Sequence, residues 1–280
     1  MSVFPAAARY VRLYIALSLH VASAVAALAI FTRLSFGYDI APAPAAFIFL
    51  SSIVAYNLAK YGEAGAGYVS TLRQRWHDQY FRLMFFISAL SAGASLLLAR
   101  HLSAVQLAIA ALAGTLTLLY IWPAFNGYSL RSLPGLKIFI IALSWTLTCV
   151  CLPLAGAEPL LSAPVLWHSA TIFFYILAVM IPFEIRDTLV DSPGLRTLPQ
   201  TLGFRLARHL GAIWAFLALG FTFANPAAVP AAKWSTGGLM LLAVLLIYAS
   251  KPSQSFWYAS FWVEGLPLLW LVAYAGFSLI

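Results

Sequence analysis

The sequence predicts an all-α integral membrane protein with about nine transmembrane helices. Three observations support this: 63% of the 280 residues are hydrophobic and only 9% are charged, the mean hydropathy is +0.91, and apolar runs of roughly 20 residues recur along the chain. A helix of that length crosses the hydrocarbon core of a bilayer. No polar stretch is long enough for a soluble domain, so we expect residues 1–280 to form a single transmembrane domain.

The apolar runs place the helices in order. The first run follows Arg9 and Arg12 as in a signal sequence, but it exceeds a cleavable core, which favours a first transmembrane helix. The second run is short and the eighth could be interfacial, so eight spans is an alternative. The predicted ranges are 11–31, 45–59, 81–99, 104–121, 136–154, 164–182, 209–224, 235–249 and 256–278.

The basic residues predict the orientation. With the N-terminus inside, thirteen of the 16 Lys and Arg residues lie on the inner side, and only Arg33, Arg100 and Lys233 lie outside. Both long polar segments, 57–80 and 184–208, would then be cytoplasmic loops, and we expect a multi-pass protein of a bacterial-type inner membrane. This bias accounts for the net charge of +8, so we expect membrane lipids and no nucleic acid as partners.

The second polar segment concentrates carboxylates at Glu184, Asp187 and Asp191. If the helix continues through Asp191, offsets of three and seven residues place all three within roughly 60° of one another. Mg²⁺ prefers such oxygen ligands and completes its shell with phosphate and water. The segment therefore indicates a Mg²⁺ site that substrate phosphates and water would complete; the alternative is a set of solvated residues that close a membrane helix. Thr197 is expected to cap the next helix.

The first polar segment offers a second group of candidate residues. Asn57, Lys60 and Tyr61 share one helical face if the segment is helical. Arg73 begins a basic and aromatic stretch, which is typical of a segment that contacts anionic lipid. The alternative is a lid that pairs arginine side chains with a substrate diphosphate.

Further cations and one acid complete the candidates. Arg131 and Lys137 are either topology determinants that extend to the headgroups or cations that face a phosphate. Arg196 follows the acidic segment. Glu264 lies about eight residues into the last helix, roughly 12 Å deep, where a carboxylate indicates a site. The five histidines show no metal-ligand spacing.

These residues resemble the UbiA superfamily of intramembrane prenyltransferases. Glu184-x-x-Asp187-x-x-x-Asp191, followed by Gly194-Leu195-Arg196-Thr197-Leu198-Pro199, is similar to the family's D-x-x-D-x-x-x-D motif and its G-x-x-T-L-P continuation. Leu133-Pro134-Gly135-Leu136-Lys137 is also similar. The family's first motif, N-D-x-x-D-x-x-x-D, would begin at Asn57, but Leu58, Tyr61 and Gly65 occupy its acidic positions.

The resemblance implies a UbiA-like bundle and a transferase that moves an isoprenoid chain from a prenyl diphosphate to a lipid-soluble acceptor. It also implies Mg²⁺ as the cofactor. Alternatives are a non-catalytic relative that binds lipid or assists assembly, and then a transporter in which Glu264 and Asp191 form an ion path. The implied roles are metal binding for Glu184, Asp187 and Asp191, catalysis for Asp187, Asp191 and Lys60 (whose charge would replace a second metal), and substrate binding for Asn57, Tyr61, Arg73, Arg131, Lys137, Arg196 and Glu264.

Overall fold

The chain folds almost entirely into helices, which confirms the all-α prediction. The computed structural model describes residues 4–65, 71–122 and 129–279, with the side chains of all of these except 4–8, 62–65 and 71–79. Ten helices follow in order: α1 Phe4–Ala16, α2 Leu19–Ser35, α3 Pro42–Gly65, α4 Thr71–Ala99, α5 Ala104–Ile121, α6 Lys137–Leu154, α7 Ala163–Asp187, α8 Leu198–Ala224, α9 Pro230–Ala249 and α10 Tyr258–Phe277.

The helices are those of a multi-pass membrane protein. In the described part of the chain, eight of them, α3 to α10, are long and apolar enough to cross a membrane, and α1 with α2 makes a ninth if the bent pair is one span. Large apolar side chains cover the outer surface, as in Phe85, Phe86, Leu96 and Leu97 of α4. In water this surface would be unfavourable, whereas lipid solvates it.

The first predicted span is broken where a continuous helix was expected. α1 and α2 meet at 66°, and Ser18 between them has a left-handed backbone with φ 61°. The Ser18 hydroxyl donates to Asn57 Oδ1 at 2.8 Å, and Lys60 Nζ donates to Ser18 Oγ at 2.7 Å. The same ammonium donates to the carbonyls of Ile15 and Ala16, at 3.2 and 2.9 Å. Side chains of α3 therefore cap the last turn of α1 and hold the break.

Both predicted polar loops are largely helical. α3 continues to Gly65 and α4 begins at Thr71, while α7 runs to Asp187 and α8 begins at Leu198. α3 packs against α4 and α7 packs against α8. Tertiary packing of this kind can extend a helix beyond the apolar run that hydropathy detects. Thr197 stands at the N-cap of α8, as predicted, and Gln200 Oε1 accepts from its backbone N–H at 3.0 Å.

The most buried span is α7, which packs against α6, α8 and α9, while α10 packs against α9 and α2. At the centre, the buried rings of Tyr175 and Trp270 meet edge to face at 5.0 Å. Two segments are π-helical, Leu147–Cys151 in α6 and Tyr258–Val263 in α10. A proline follows each within four residues, and its missing N–H disturbs the regular hydrogen-bond ladder.

Candidate functional site

A cavity of about 380 Å³ lies inside the bundle. Most of its wall is apolar, with side chains such as Val21, Val25, Ile140, Ile176 and Val179. The wall becomes charged where α3 and α7 end and α6 begins. Among the residues that the structure describes, this charged end carries Lys60, Arg131, Lys137, Arg186 and Asp187.

Lys137 holds two of the three carboxylates of the acidic segment. Its ammonium lies 3.0 Å from Glu184 Oε1 and donates to Asp191 Oδ2 at 3.1 Å. Little of these side chains is exposed: 12% of Lys137, 2% of Glu184 and 7% of Asp191. Glu184 and Asp191 therefore come together, as the sequence predicted, but around a cation of the protein itself.

The backbone conformation that brings Asp191 close to Glu184 differs from the predicted continuous helix. α7 ends at Asp187 instead of continuing through Asp191, and a turn follows in which the Asp191 N–H donates to the Asp187 carbonyl at 2.8 Å. Gln200 Nε2 donates to the Asp191 carbonyl at 3.2 Å, and Gly135 N–H donates to the Leu195 carbonyl at 3.1 Å. These bonds dock the segment that opens α6 against the acidic segment, which places Lys137 between the carboxylates.

The third carboxylate, Asp187, forms a bidentate pair with its neighbour. Arg186 Nε and Nη2 donate to the two Asp187 oxygens at 2.7 and 2.9 Å. Arg186 Nη1 donates to Ser260 Oγ of α10 at 3.1 Å, and its guanidinium lies 5.1 Å from the centre of the Phe183 ring. Bidentate geometry and charge make this a strong contact. Arg186 and Ser260 were not predicted as site residues, although an arginine beside a motif carboxylate was a usable signal.

The predicted site residues divide into two groups. Lys60, Arg131, Lys137, Asp187 and Glu264 line the cavity, and Glu184 and Asp191 lie directly behind Lys137. Lys60 does not extend towards lipid headgroups, since its ammonium contacts the end of α1 as well as the cavity.

Three other predicted residues, all with described side chains, do not line this wall. Asn57 is fully buried and donates to Ser88 Oγ at 3.0 Å. The Tyr61 ring packs edge-on against Phe81 at 5.2 Å. Arg196 is exposed after a short 3₁₀ turn, and the side chain of Arg73 lies outside the described residues.

One polar pair on the cavity wall was not foreseen. Trp145 Nε1 of α6 donates to Tyr56 Oη of α3 at 2.8 Å, and both side chains line the cavity. Tyr56 lies four residues before Lys60, so it was within reach of the helical-face argument, which selected Asn57 instead.

The acidic segment does not fit a resident Mg²⁺ in this arrangement. Within the described part of the chain, no three His, Cys, Asp or Glu side chains form a group that could hold a metal ion. Glu184 and Asp191 contact the Lys137 ammonium and Asp187 contacts the Arg186 guanidinium. These cations neutralise the three carboxylates and repel a metal ion that arrives without an anion of its own.

No protein-family model, curated protein or solved structure matches the chain.

Proposed function

We propose that the protein is an intramembrane prenyltransferase, which moves an isoprenoid chain from a prenyl diphosphate to a lipid-soluble acceptor. One observation carries this proposal: a single cavity combines a long apolar wall with one charged end. A prenyl diphosphate has the same two parts, a hydrocarbon chain and a compact anionic head. The resemblance of the acidic segment to the UbiA motif supports the same substrate class.

The charged end suits the diphosphate because its cations belong to different helices. Lys60 comes from α3, Lys137 from α6 and Arg186 from α7, and all three line the cavity. Each already contacts protein oxygens, so its position is fixed before a ligand arrives. Preorganised cations in a site with few waters stabilise a leaving group's negative charge better than mobile ones do.

The proposed reaction uses both the charged end and the apolar wall of the cavity. The bond between C1 of the prenyl chain and the diphosphate oxygen breaks, and its electron pair leaves with the diphosphate. A new bond forms between C1 and the nucleophilic atom of the acceptor, which loses a proton. Glu264, a carboxylate on the same cavity wall, is our candidate to receive that proton. The apolar wall keeps water away from the electron-poor C1.

A second candidate is a relative that binds an isoprenoid lipid without transferring it. The pairing of Glu184 and Asp191 with Lys137 favours it, since a cation of the protein itself already neutralises these carboxylates. The two candidates share the ligand and differ in turnover.

Binding of tritiated geranylgeranyl diphosphate in detergent, with Mg²⁺ present, tests the shared step. We expect Arg186→Gln to weaken binding at least ten-fold, because it removes a charge-assisted contact, whereas Lys251→Gln, at an exposed lysine, should not change it. Absent binding to the wild-type protein would contradict both candidates. Incubation with extracted membrane lipid then separates them: a labelled lipid and released diphosphate indicate the transferase, and binding without product indicates the lipid-binding relative.

A further inference from the structure

We propose that Tyr56, oriented by Trp145, and Glu264 together recognise a hydroxyl group on the ligand that shares the cavity with the prenyl chain. The ligand class is a lipid-soluble alcohol or phenol without a carboxylate. Only the identification of this ligand as the acceptor rests on the proposed function; the recognition of a hydroxyl group does not.

The first support is the orientation of Tyr56. An indole N–H can only donate, so the 2.8 Å contact with Trp145 Nε1 uses a lone pair of the Tyr56 oxygen. The Tyr56 hydroxyl proton is then available for donation, and the described residues offer it no acceptor. Tyr56 is only partly buried and lines the cavity. A hydroxyl proton without an acceptor beside hydrocarbon is unfavourable, so this position favours a ligand that carries an oxygen.

The second support is the distance of Tyr56 and Glu264 from the charged end of the cavity. Tyr56 lies four residues before Lys60 on α3, which is about 6 Å along a helix. Glu264 lies four residues after Ser260 on α10, and Ser260 contacts Arg186. Both therefore stand about one turn inside the charged end. C1 of a prenyl diphosphate is bonded directly to the anionic head, so an acceptor must present its reacting group at this depth.

The third support is the combination of hydrogen-bonding types. Tyr56 offers a proton and the Glu264 carboxylate offers lone pairs, and a hydroxyl group is the simplest partner for both. A carboxylate has several acceptor positions, so Glu264 can accept from a ligand in addition to its contacts within the protein. A ketone or an ether would accept a hydrogen bond from Tyr56 but could donate none to Glu264. A carboxylate on the ligand would be repelled by the Glu264 carboxylate.

Three probes of matched shape test this: 2-naphthol donates and accepts, 2-methoxynaphthalene only accepts, and 2-ethylnaphthalene does neither. Their affinities for the wild-type protein are measured by titration calorimetry in detergent, with partition into empty micelles subtracted. We expect the affinities to fall in that order, with about three- to ten-fold lost for each hydrogen bond. Equal affinities for the three probes would overturn the proposal.

Single substitutions show which residues discriminate among the three probes. Tyr56→Phe should bring 2-methoxynaphthalene down to the affinity of 2-ethylnaphthalene, and Glu264→Gln should reduce the advantage of 2-naphthol over 2-methoxynaphthalene. Trp145→Phe, which keeps the Tyr56 hydroxyl but frees its orientation, should cause a smaller loss, as a positioning residue would. The matched control is Tyr274→Phe, because that hydroxyl donates to the Leu34 carbonyl outside the cavity; it should change none of the affinities.

Unchanged probe ratios in Tyr56→Phe would overturn the proposal. If that variant does not melt cooperatively, unchanged ratios in both Trp145→Phe and Glu264→Gln would do so. Prenyl diphosphate binding on the same preparations keeps the two proposals apart. Normal prenyl diphosphate binding without discrimination among the probes contradicts the hydroxyl site alone, whereas discrimination without prenyl diphosphate binding contradicts the prenyltransferase alone.

Discussion

Replacing Lys137 with methionine tests the charge arrangement on which the site depends. The ammonium is the shared partner of Glu184 and Asp191, at 3.0 and 3.1 Å, and these carboxylates are only 2% and 7% exposed. Methionine keeps the length of the side chain and removes the charge. Breaking a buried ion pair costs about 3–5 kcal/mol because it leaves an uncompensated charge. Two carboxylates share this cation, so we expect Lys137→Met to lower the free energy of unfolding by about 4 kcal/mol.

The double variant Lys137→Met/Glu184→Gln separates charge from packing. It removes the more buried of the two carboxylate charges along with the ammonium, so we expect it to recover about 2 kcal/mol relative to Lys137→Met alone. The two substitutions are then strongly non-additive, as expected for residues in direct contact. Lys251→Met, at an exposed lysine, is the matched control and should stay within about 0.5 kcal/mol of the wild-type protein.

Equilibrium unfolding in mixed micelles of sodium dodecyl sulfate and a mild detergent, followed by near-ultraviolet circular dichroism, measures these differences. A cost below about 1 kcal/mol for Lys137→Met would refute the reasoning, as would additivity of the two substitutions. Either result would mean that Glu184 and Asp191 are neutral or hydrated, and the interpretation of the acidic segment as an internally paired cluster would fail.

Lys60→Met should lower the free energy of unfolding by about 2 kcal/mol, because α1 loses the cation that caps its carbonyls; a loss of only a few tenths in the same assay would indicate a lipid-facing lysine. Mg²⁺ alone should barely raise the thermal midpoint and should raise it clearly with a prenyl diphosphate, a synergy that Asp187→Asn abolishes; equal shifts with and without the diphosphate would count against it. Gly265→Ala should cost about 1–3 kcal/mol in the unfolding assay, since its Cβ would lie 2.7 Å from a backbone oxygen, whereas Gly237→Ala, with open space around it, should be tolerated.

The spans were predictable because they depend on local composition, which hydropathy measures directly. The break at Ser18 was not, because it depends on Lys60 and Asn57, which lie about 40 positions away in the chain. The π-helical segments were not predicted, because they too depend on contacts with other helices. A proline in an apolar run signals a disturbed ladder, but the neighbouring helices decide whether the disturbance becomes a kink, a break or a π turn.

Helical spacing and charge predicted some of the residues that line the cavity, but not their partners. Lys60, Lys137, Asp187 and Glu264 were selected by charge and position, and all four line one cavity. Spacing assigns a face and not a partner, so it could not show that Lys137 would neutralise two of the carboxylates. Lys60 and Asn57 share a broad face, yet residues three apart diverge by about 60° and residues four apart by about 40° in the other direction. That difference turns Asn57 towards Ser88 and leaves Tyr56 on the cavity wall.

The charges of the described residues balance at the charged end of the cavity. Among the described residues, the cations of the charged end are Lys60, Arg131, Lys137 and Arg186, and the carboxylates are Asp187 and Glu264 on the wall with Glu184 and Asp191 behind it. Four cations face four carboxylates, so the formal charge of the cluster is zero.

Acids at positions 58 and 61, where the UbiA pattern would place them, would make that cluster negative and would call for a resident metal. Leucine and tyrosine at these positions, with Lys60 between them, remove that requirement. A bare diphosphate would still bring uncompensated negative charge into a site of low dielectric, which is costly. The same anion entering as its Mg²⁺ complex carries much of its own compensation. We therefore expect the metal to arrive as part of the substrate, with Asp187 the carboxylate placed on the cavity wall to contact it.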